Sequence, residues 1–263
     1  MDAVQIRNLG DELYAALRAP HTVAPLTDRY PEITKEDAYR IQRYLIARRE
    51  TDGERIVGKK IGLTSEPVQK MLGVSEPDFG FLMDRMQLAN GATVSLASVG
   101  LMQAKAEGEI AFVLSRDLSG TNLTREDVLA ATECVLPCFE IVDSRVRDWK
   151  IKIQDTIADN ASCGVFVLGD SRVDPNTIDL AAAKLEIRKN GALAASGLGS
   201  AVQGHPAEAV AWLANTLGHF GVPFRKGEII LSGALAAMVP VVAGDQFELS
   251  IHGIGSAAIN FSA

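Results

Sequence analysis

Cysteine is scarce in this chain: Cys134, Cys138 and Cys163 are the only three among 263 residues. An odd number of thiols in apolar contexts (ECVLPCFEI, NASCGVFVL) suits buried, reduced cysteines and a cytoplasmic location, not a disulfide framework. No second Cys or His pair complements Cys134 and Cys138, so their spacing is not a zinc pattern. Clustered basic residues are lacking as well. The longest basic runs are Arg48-Arg49 and Lys59-Lys60, and 26 Lys+Arg against 33 Asp+Glu leave a formal net charge of −7, which argues against a nucleic-acid partner. No stretch approaches the roughly 20 apolar residues that cross a bilayer. The first twenty residues carry acids early and no continuous apolar core, so neither a secretory signal nor a membrane partner is expected. Internal repeats and low-complexity tracts are missing too.

What is present is 47% hydrophobic and 22% charged residues, enough chain to build a core without disulfide or structural metal. Residues 2–19 predict an amphipathic helix, with Val4, Leu9, Leu13 and Leu17 at helical spacing. Thr34 opens a Thr-x-x-Asp capping box, and Ala38, Ile41 and Leu45 continue an apolar face to about Arg49. The chain then changes character. RIVGKKIGL reads as a strand, EPVQKMLG (66–73) as a short helix closed by Gly73, and PDFGFL as a turn into an extended piece. Strand-like runs follow at 109–115, 139–144, 164–169, 184–191, 228–233 and 246–253, with Asn190-Gly191 as a hairpin turn. Two helices interrupt them, Thr124 to about Cys134 and Pro206 to about His219, the latter ended by Gly221. Strands without regularly alternating helices predict an α+β fold: an N-terminal helical region over 1–54 and a mixed β core over 55–263.

GIGSAA (253–258) matches a dinucleotide-binding pattern formally, but no chain remains for the helix and second strand that such a unit needs. A tight turn between two final strands is the better reading. AEGEIAF is more informative. Glu107 and Glu109 are two apart at the start of a strand and project from one face. Glu140 lies inside the apolar run CFEIVD, where an unpaired carboxylate is expensive. Three carboxylates that met would repel unless a divalent cation held them, and hard oxygen ligands suit Mg²⁺ or Mn²⁺. The alternative from pattern alone is a solvated Glu-x-Glu edge and an Arg partner for Glu140. Lys59 and Lys60, flanked by Gly58 and Gly62, face opposite ways in their strand, so one is expected to point inward as an acid or base. Asp78 and the polar run 158–162 complete the candidates, with turn capping as their plainer use.

As a set, the strings GKKIGLTS, QKMLGVSEPDFGFL, AEGEIAFVL, CVLPCFEIVDSRVRDWKIKIQDTIADNASCG, GHP and LSGAL resemble the 2-hydroxypenta-2,4-dienoate hydratases of meta-cleavage pathways for aromatic compounds. These belong to the hydratase/decarboxylase branch of the fumarylacetoacetate hydrolase superfamily. The resemblance runs in order from about residue 5 to the end. It implies a mixed β-sandwich or roll core with an N-terminal helical region packed on it, in a homo-oligomer. It also implies Mg²⁺ or Mn²⁺ held by Glu107, Glu109 and Glu140, and Lys60, not Lys59, as the active-site lysine. One departure is Ala104-Lys105, where many relatives have Pro-Arg or Pro-Lys; a φ restraint beside the metal strand is lost, but no ligand is.

The sister activity, 4-oxalocrotonate decarboxylase, goes with Ile-Tyr-Gly where this chain has Asp78-Phe79-Gly80. Adding water needs a group that positions or deprotonates it, and Asp78 supplies one, which favours the hydratase. The resemblance thus implies a small 2-hydroxy-dienoate or 2-oxo acid substrate. Lys60 would shuttle protons or hold the 2-oxygen, Asp78 would orient or activate the water, and Asn160 and Ser162 would hydrogen-bond the substrate carboxylate or the metal's waters. An acylpyruvate C–C hydrolase is a further alternative, but none of His21, His205, His219 or His252 lies in a matching motif. A non-enzymatic alternative is a docking subunit of a complex with the pathway decarboxylase.

Overall fold

The structure, a computed structural model, describes residues 1–64, 69 and 76–262. Apart from residue 69, the helix expected at 66–73 lies outside the described residues. At the N-terminus, α1 (Ala3–Arg18) is opened by Asp2, whose carboxylate accepts the Gln5 N–H at 2.8 Å while the Gln5 side chain accepts the Asp2 N–H at 3.0 Å. After the single turn α2 (Leu26–Arg29), Thr34 opens α3 (Lys35–Thr51) in the same reciprocal way with Asp37, as its capping box predicts. The buried stripe of α1 is Ile6, Leu9, Leu13 and Ala16; Val4, expected on that face, is 55% exposed because Ile6 takes its place. Gly10 lets the two long helices approach closely, since a Cβ there would come within 2.5 Å of the Tyr44 ring. Their apolar cluster is completed by Val146, Ile153 and Ile157 from far along the chain.

The strands are β1 (Ile56–Gly62), β2 (Asp78–Met83), β3 (Gln87–Leu88), β4 (Ala92–Val94), β5 (Lys105–Leu114), β6 (Thr132–Val142), β7 (Cys163–Leu168), β8 (Lys184–Lys189), β9 (Ala192–Leu198), β10 (Ile229–Leu231), β11 (Val239–Pro240), β12 (Gln246–Ile251) and β13 (Gly255–Phe261). Among the described residues they form an eight-stranded mixed sheet in the order β2-β1-β10-β5-β6-β7-β3, with β11 beside β5, and a five-stranded sheet in the order β4-β13-β12-β8-β9. The sheets pack face to face. Phe139 of β6 meets Phe247 of β12 edge-on at 6.2 Å, and Gly108 of β5 faces Leu185, Ile187 and Leu249 so closely that a Cβ would come within 2.7 Å of Leu185. Among the described residues three further helices follow: α4 (Arg125–Ala131), α5 (Ile153–Ala158) and α6 (Pro206–His219).

The α+β expectation and the N-terminal helices match this architecture. The Asn190-Gly191 turn has both residues at positive φ, and residues 252–254 connect the final two strands as a turn. Several details differ: β5 starts at Lys105 instead of 109, and α5 is a third helix among the strands, where two were expected. The helix expected from Thr124 to Cys134 stops at Ala131, because β-branched Thr132 and the apolar residues after it pair with β5. β6 therefore starts at Thr132 instead of 139, with Pro137 inside it opposite Ile110.

Candidate active site

Strand alternation decides what meets in this molecule. On β5 and β6 the residues Gly108 and Phe139 look into the sandwich, so Glu107, Glu109, Cys138 and Glu140 look the other way. Register then brings the acids together, for Glu107 lies opposite Glu140 across the antiparallel pair. Lys60 of β1 is aligned with Leu231 of β10, and Leu231 with Ala111 of β5, which puts the lysine on the same face as the carboxylates. Lys59 points oppositely and is buried too, paired with Glu228 at 2.5 Å over the Phe224 ring. Both lysines are thus inward, on different faces.

One carboxylate oxygen from each of Glu107, Glu109 and Glu140 lies within 4.8 Å of the others. Glu109 is 1% exposed and Glu140 0%. Glu109 Oε2 accepts the Gly233 N–H at 2.8 Å, whereas neither oxygen of Glu140 has a hydrogen-bond partner among the described residues. The Lys60 ammonium stands 3.2 Å from Glu140 Oε1, within ion-pair distance. Burial and the nearby Glu140 charge push the Glu107 carboxyl up to about 7 and that of Glu109 well above the usual carboxylate range. Burial alone would pull the Lys60 ammonium down, but Glu140 and Asp78 outweigh it and raise it. Three hard oxygen donors, two of them deeply buried and one with neither oxygen hydrogen-bonded among the described residues, fit a divalent cation of the Mg²⁺ type.

Asp78 opens β2 opposite Gly62, and Lys60 lies opposite Gly80. The two glycines clear the space between the functional side chains. A Cβ on Gly62 would come within 2.1 Å of Asp78 Oδ1, and one on Gly80 within 2.5 Å of the Asn160 carbonyl oxygen. Burial raises the Asp78 carboxyl, while Lys60 and a hydrogen bond from Thr156 pull the other way. The Thr156 hydroxyl donates to Asp78 Oδ2 at 3.2 Å and lies 3.3 Å from the Ser162 hydroxyl. Asp78 Oδ1 is buried without a partner among the described residues. A cleft of about 550 Å³ is lined by Thr64, Glu76, Pro77, Ser200, Gln203 and Trp212 among others, so it reaches the chain neighbour of Asp78 but not Asp78 itself.

Asn160 and Ser162 lie next to this cluster but are engaged inside the protein. The Asn160 Oδ1 accepts the Phe81 N–H at 2.8 Å and its Nδ2 donates to the Phe81 carbonyl at 2.9 Å. These bonds organise β2 and the surroundings of Asp78. Residues 160–162 all have left-handed φ (55°, 52° and 52°), a costly run for non-glycine residues. Buried Arg145 holds it, bonding Asp159 Oδ1 at 2.5 Å, the Asp159 carbonyl at 2.7 Å and the Cys163 carbonyl at 3.2 Å. No histidine joins the cluster; His205 instead caps α6 through the Ala207 N–H. Thr156, Arg145 and the two facing glycines carry no sequence signal beyond the Gly-Lys-Lys-Ile-Gly and Asp-Phe-Gly strings.

The profile of the fumarylacetoacetate (FAA) hydrolase C-terminal family matches residues 57–261. The chain belongs to the fumarylacetoacetate hydrolase family. Among relatives, this family member is 63% identical over 257 residues to the 2-hydroxyhexa-2,4-dienoate hydratase of Comamonas testosteroni, covering 98% of this chain and 97% of that one. It is 57% identical over 222 residues to the 2-hydroxypent-2,4-dienoate hydratase of Pseudomonas putida, covering 84% of this chain and all of the other. Among solved structures, the 4-oxalocrotonate decarboxylase from Pseudomonas putida G7, complexed with magnesium and adipate, superposes with a TM-score of 0.96 at 34% identity, covering 99% of this chain and 98% of that one. The mixed sheets and N-terminal helices described above are thus the fold of the fumarylacetoacetate hydrolase family.

Proposed function

We propose that this chain is a divalent-cation-dependent hydratase that adds water to 2-hydroxypenta-2,4-dienoate, or a homologue longer at C5, in the meta-cleavage breakdown of aromatic compounds. The product is the 4-hydroxy-2-oxo acid. One observation carries the reading: three converging carboxylates, a buried lysine and an unpartnered Asp78 oxygen occupy one sheet face in a chain 63% identical to a dienoate hydratase.

Glu107, Glu109 and Glu140 would hold Mg²⁺ or Mn²⁺. The bound cation supplies Lewis-acid stabilisation of negative charge on the substrate's 2-oxygen. Lys60 holds and moves the proton at that oxygen. Its ammonium stands 3.2 Å from Glu140 and is buried on the face that carries Asp78, where a proton carrier is needed. Ketonisation with protonation at C5 gives a 2-oxo-3-enoate, whose C4 is electrophilic. Asp78 Oδ1 orients and deprotonates the water that adds there, and a proton enters at C3. The balance is substrate plus one water. Asn160 positions β2 through Phe81, and the cleft beside Pro77 admits the C5 end. The resemblance to the dienoate hydratases supports a homo-oligomer, and three free buried thiols support a reducing, cytoplasmic setting.

The test is an ultraviolet assay on freshly generated 2-hydroxypenta-2,4-dienoate with Mg²⁺, then with chelator, with the product identified by mass. Cation-dependent loss of the diene absorbance with gain of one water is expected, and Lys60→Ala abolishes it. The 34% identity to 4-oxalocrotonate decarboxylase sustains one second reading. Carbon dioxide release from 4-oxalocrotonate, with no hydration, would put it in place of the first.

A further inference from the structure

A carboxylate that activates water must present one oxygen in a fixed direction, yet the terminal torsion of an aspartate is broad and roughly two-fold. Asp78 has Oδ1 beside Gly62, without a partner among the described residues, and Oδ2 held by the Thr156 hydroxyl at 3.2 Å. We propose that Thr156 is the positioning residue of the hydration reaction: it fixes the plane of the Asp78 carboxylate so that Oδ1 faces the reacting water. The proposal rests on the role given to Asp78 above.

Three features of the surroundings carry it. Thr156 is buried on α5, and α5 is anchored to the helical layer through Asp155, which accepts the Thr27 N–H at 3.1 Å and the Thr27 hydroxyl at 2.7 Å. Asp155 also accepts the Lys152 N–H at 2.9 Å and so caps its own helix. The hydroxyl that reaches Asp78 is thereby mounted on a braced element, not on a loose loop. Finally, an ionised carboxylate only accepts, so the single Thr156 proton goes to Asp78, and the Thr156 oxygen takes a hydrogen bond from Ser162 at 3.3 Å. The pair forms a directed chain, Ser162 to Thr156 to Asp78, and the left-handed turn at 160–162 brings Ser162 to its start.

The experiment compares kcat, KM and the pH profile of kcat/KM for the Mg²⁺-loaded full chain and Thr156→Val, Thr156→Ser, Ser162→Ala, Asp78→Asn and Asp78→Asn/Thr156→Val. Thr156→Val is expected to lower kcat roughly 10- to 100-fold with KM changed by less than about threefold, the scale of a misoriented reacting group. Its acid limb moves to higher pH, since the ionised carboxylate loses a donor. Thr156→Ser restores most of the rate and the wild-type limb. Ser162→Ala lowers kcat less, and it carries the test if the valine variant does not fold. Adding Thr156→Val to Asp78→Asn changes nothing further, because the group being positioned is already gone. Wild-type kcat in Thr156→Val beside an inactive Asp78→Asn overturns this proposal alone, as do multiplying effects in the double variant. Wild-type turnover in Asp78→Asn removes the base itself and the positioning role with it.

Discussion

Glu109→Gln changes one charge in the carboxylate cluster and almost nothing else, since the amide oxygen can still accept the Gly233 N–H. Two full charges 4.8 Å apart, the outer limit of the separations in the cluster, repel by about 3.5 kcal/mol at an effective dielectric of about 20. The raised carboxyls of Glu109 itself and of Glu107 take up protons near neutrality, so the repulsion is felt fully only in alkaline buffer, where the Lys60 ammonium 3.2 Å from Glu140 still relieves part of it. A net gain of about 2 kcal/mol in alkaline chelator is expected, which for a chain of this size raises the melting temperature by roughly 4–8 °C. The wild type responds oppositely to the cation: at a hundredfold excess over Kd it gains about 2.7 kcal/mol, and the variant, short of one ligand, gains little. Melting curves at alkaline pH in chelator and in saturating Mg²⁺ should therefore show the two proteins exchanging order, the variant more stable in the first buffer and the wild type in the second. A variant that melts below the wild type in chelator, or that gains as much from Mg²⁺, refutes the electrostatic account of the cluster.

The two glycines that face Lys60 and Asp78 make a contrasting pair. Gly62→Ala presses on the movable end of the Asp78 side chain, so activity falls sharply while the melting temperature changes little. Gly80→Ala presses on the backbone of Asn160, so it lowers activity and costs about 1–3 kcal/mol of stability as well; activity assays and melting curves on both variants check the contrast. At the edge of the helical layer, burial works to raise the Glu54 carboxyl, but hydrogen bonds from Arg49 (3.1 and 2.7 Å) and Arg18 outweigh it and hold the group below the usual range. The native state thus releases this proton more readily than the unfolded chain. The stabilisation is complete above the ordinary glutamate pKa and fades as pH falls through the lowered native value. Glu54→Gln should cost about 3 kcal/mol at neutral pH and flatten the acid side of the stability profile, read from urea melts across pH.

The acids of the cluster were legible because strand alternation and spacing fix a face: two glutamates two apart in AEGEIAF must project together, and Glu140 in an apolar strand needs a partner. What the chain does not announce is register. Nothing in residues 132–142 says that Glu140 lies opposite Glu107, and Pro137 together with a helix-like TREDVLAA lead-in hid the first half of β6. The direction of Lys60 was open until β1 paired with β10, since alternation says only that Lys59 and Lys60 differ. The surroundings of Asp78 were least legible. Three consecutive non-glycine residues in left-handed conformation follow from Arg145 gripping Asp159 across the fold, which no local propensity encodes. Asn160 and Ser162 stand beside Asp78 and Thr156, and what their side chains bond to is a matter of tertiary packing.

The grip of Asn160 on Phe81 reaches beyond catalysis. β2 is the border strand of the eight-stranded sheet, six residues long, and a border strand with open N–H and C=O groups invites another chain to add itself. The Asn160 amide offers Phe81 one acceptor and one donor, the complement a neighbouring strand would bring, so a single side chain stands in for a missing strand at that position. The residue that positions β2 also keeps the rim of the sheet closed to strangers. An Asn160→Leu protein should therefore lose more than turnover: it leaves a rung of the ladder vacant, and association between molecules becomes the cheapest way to fill it.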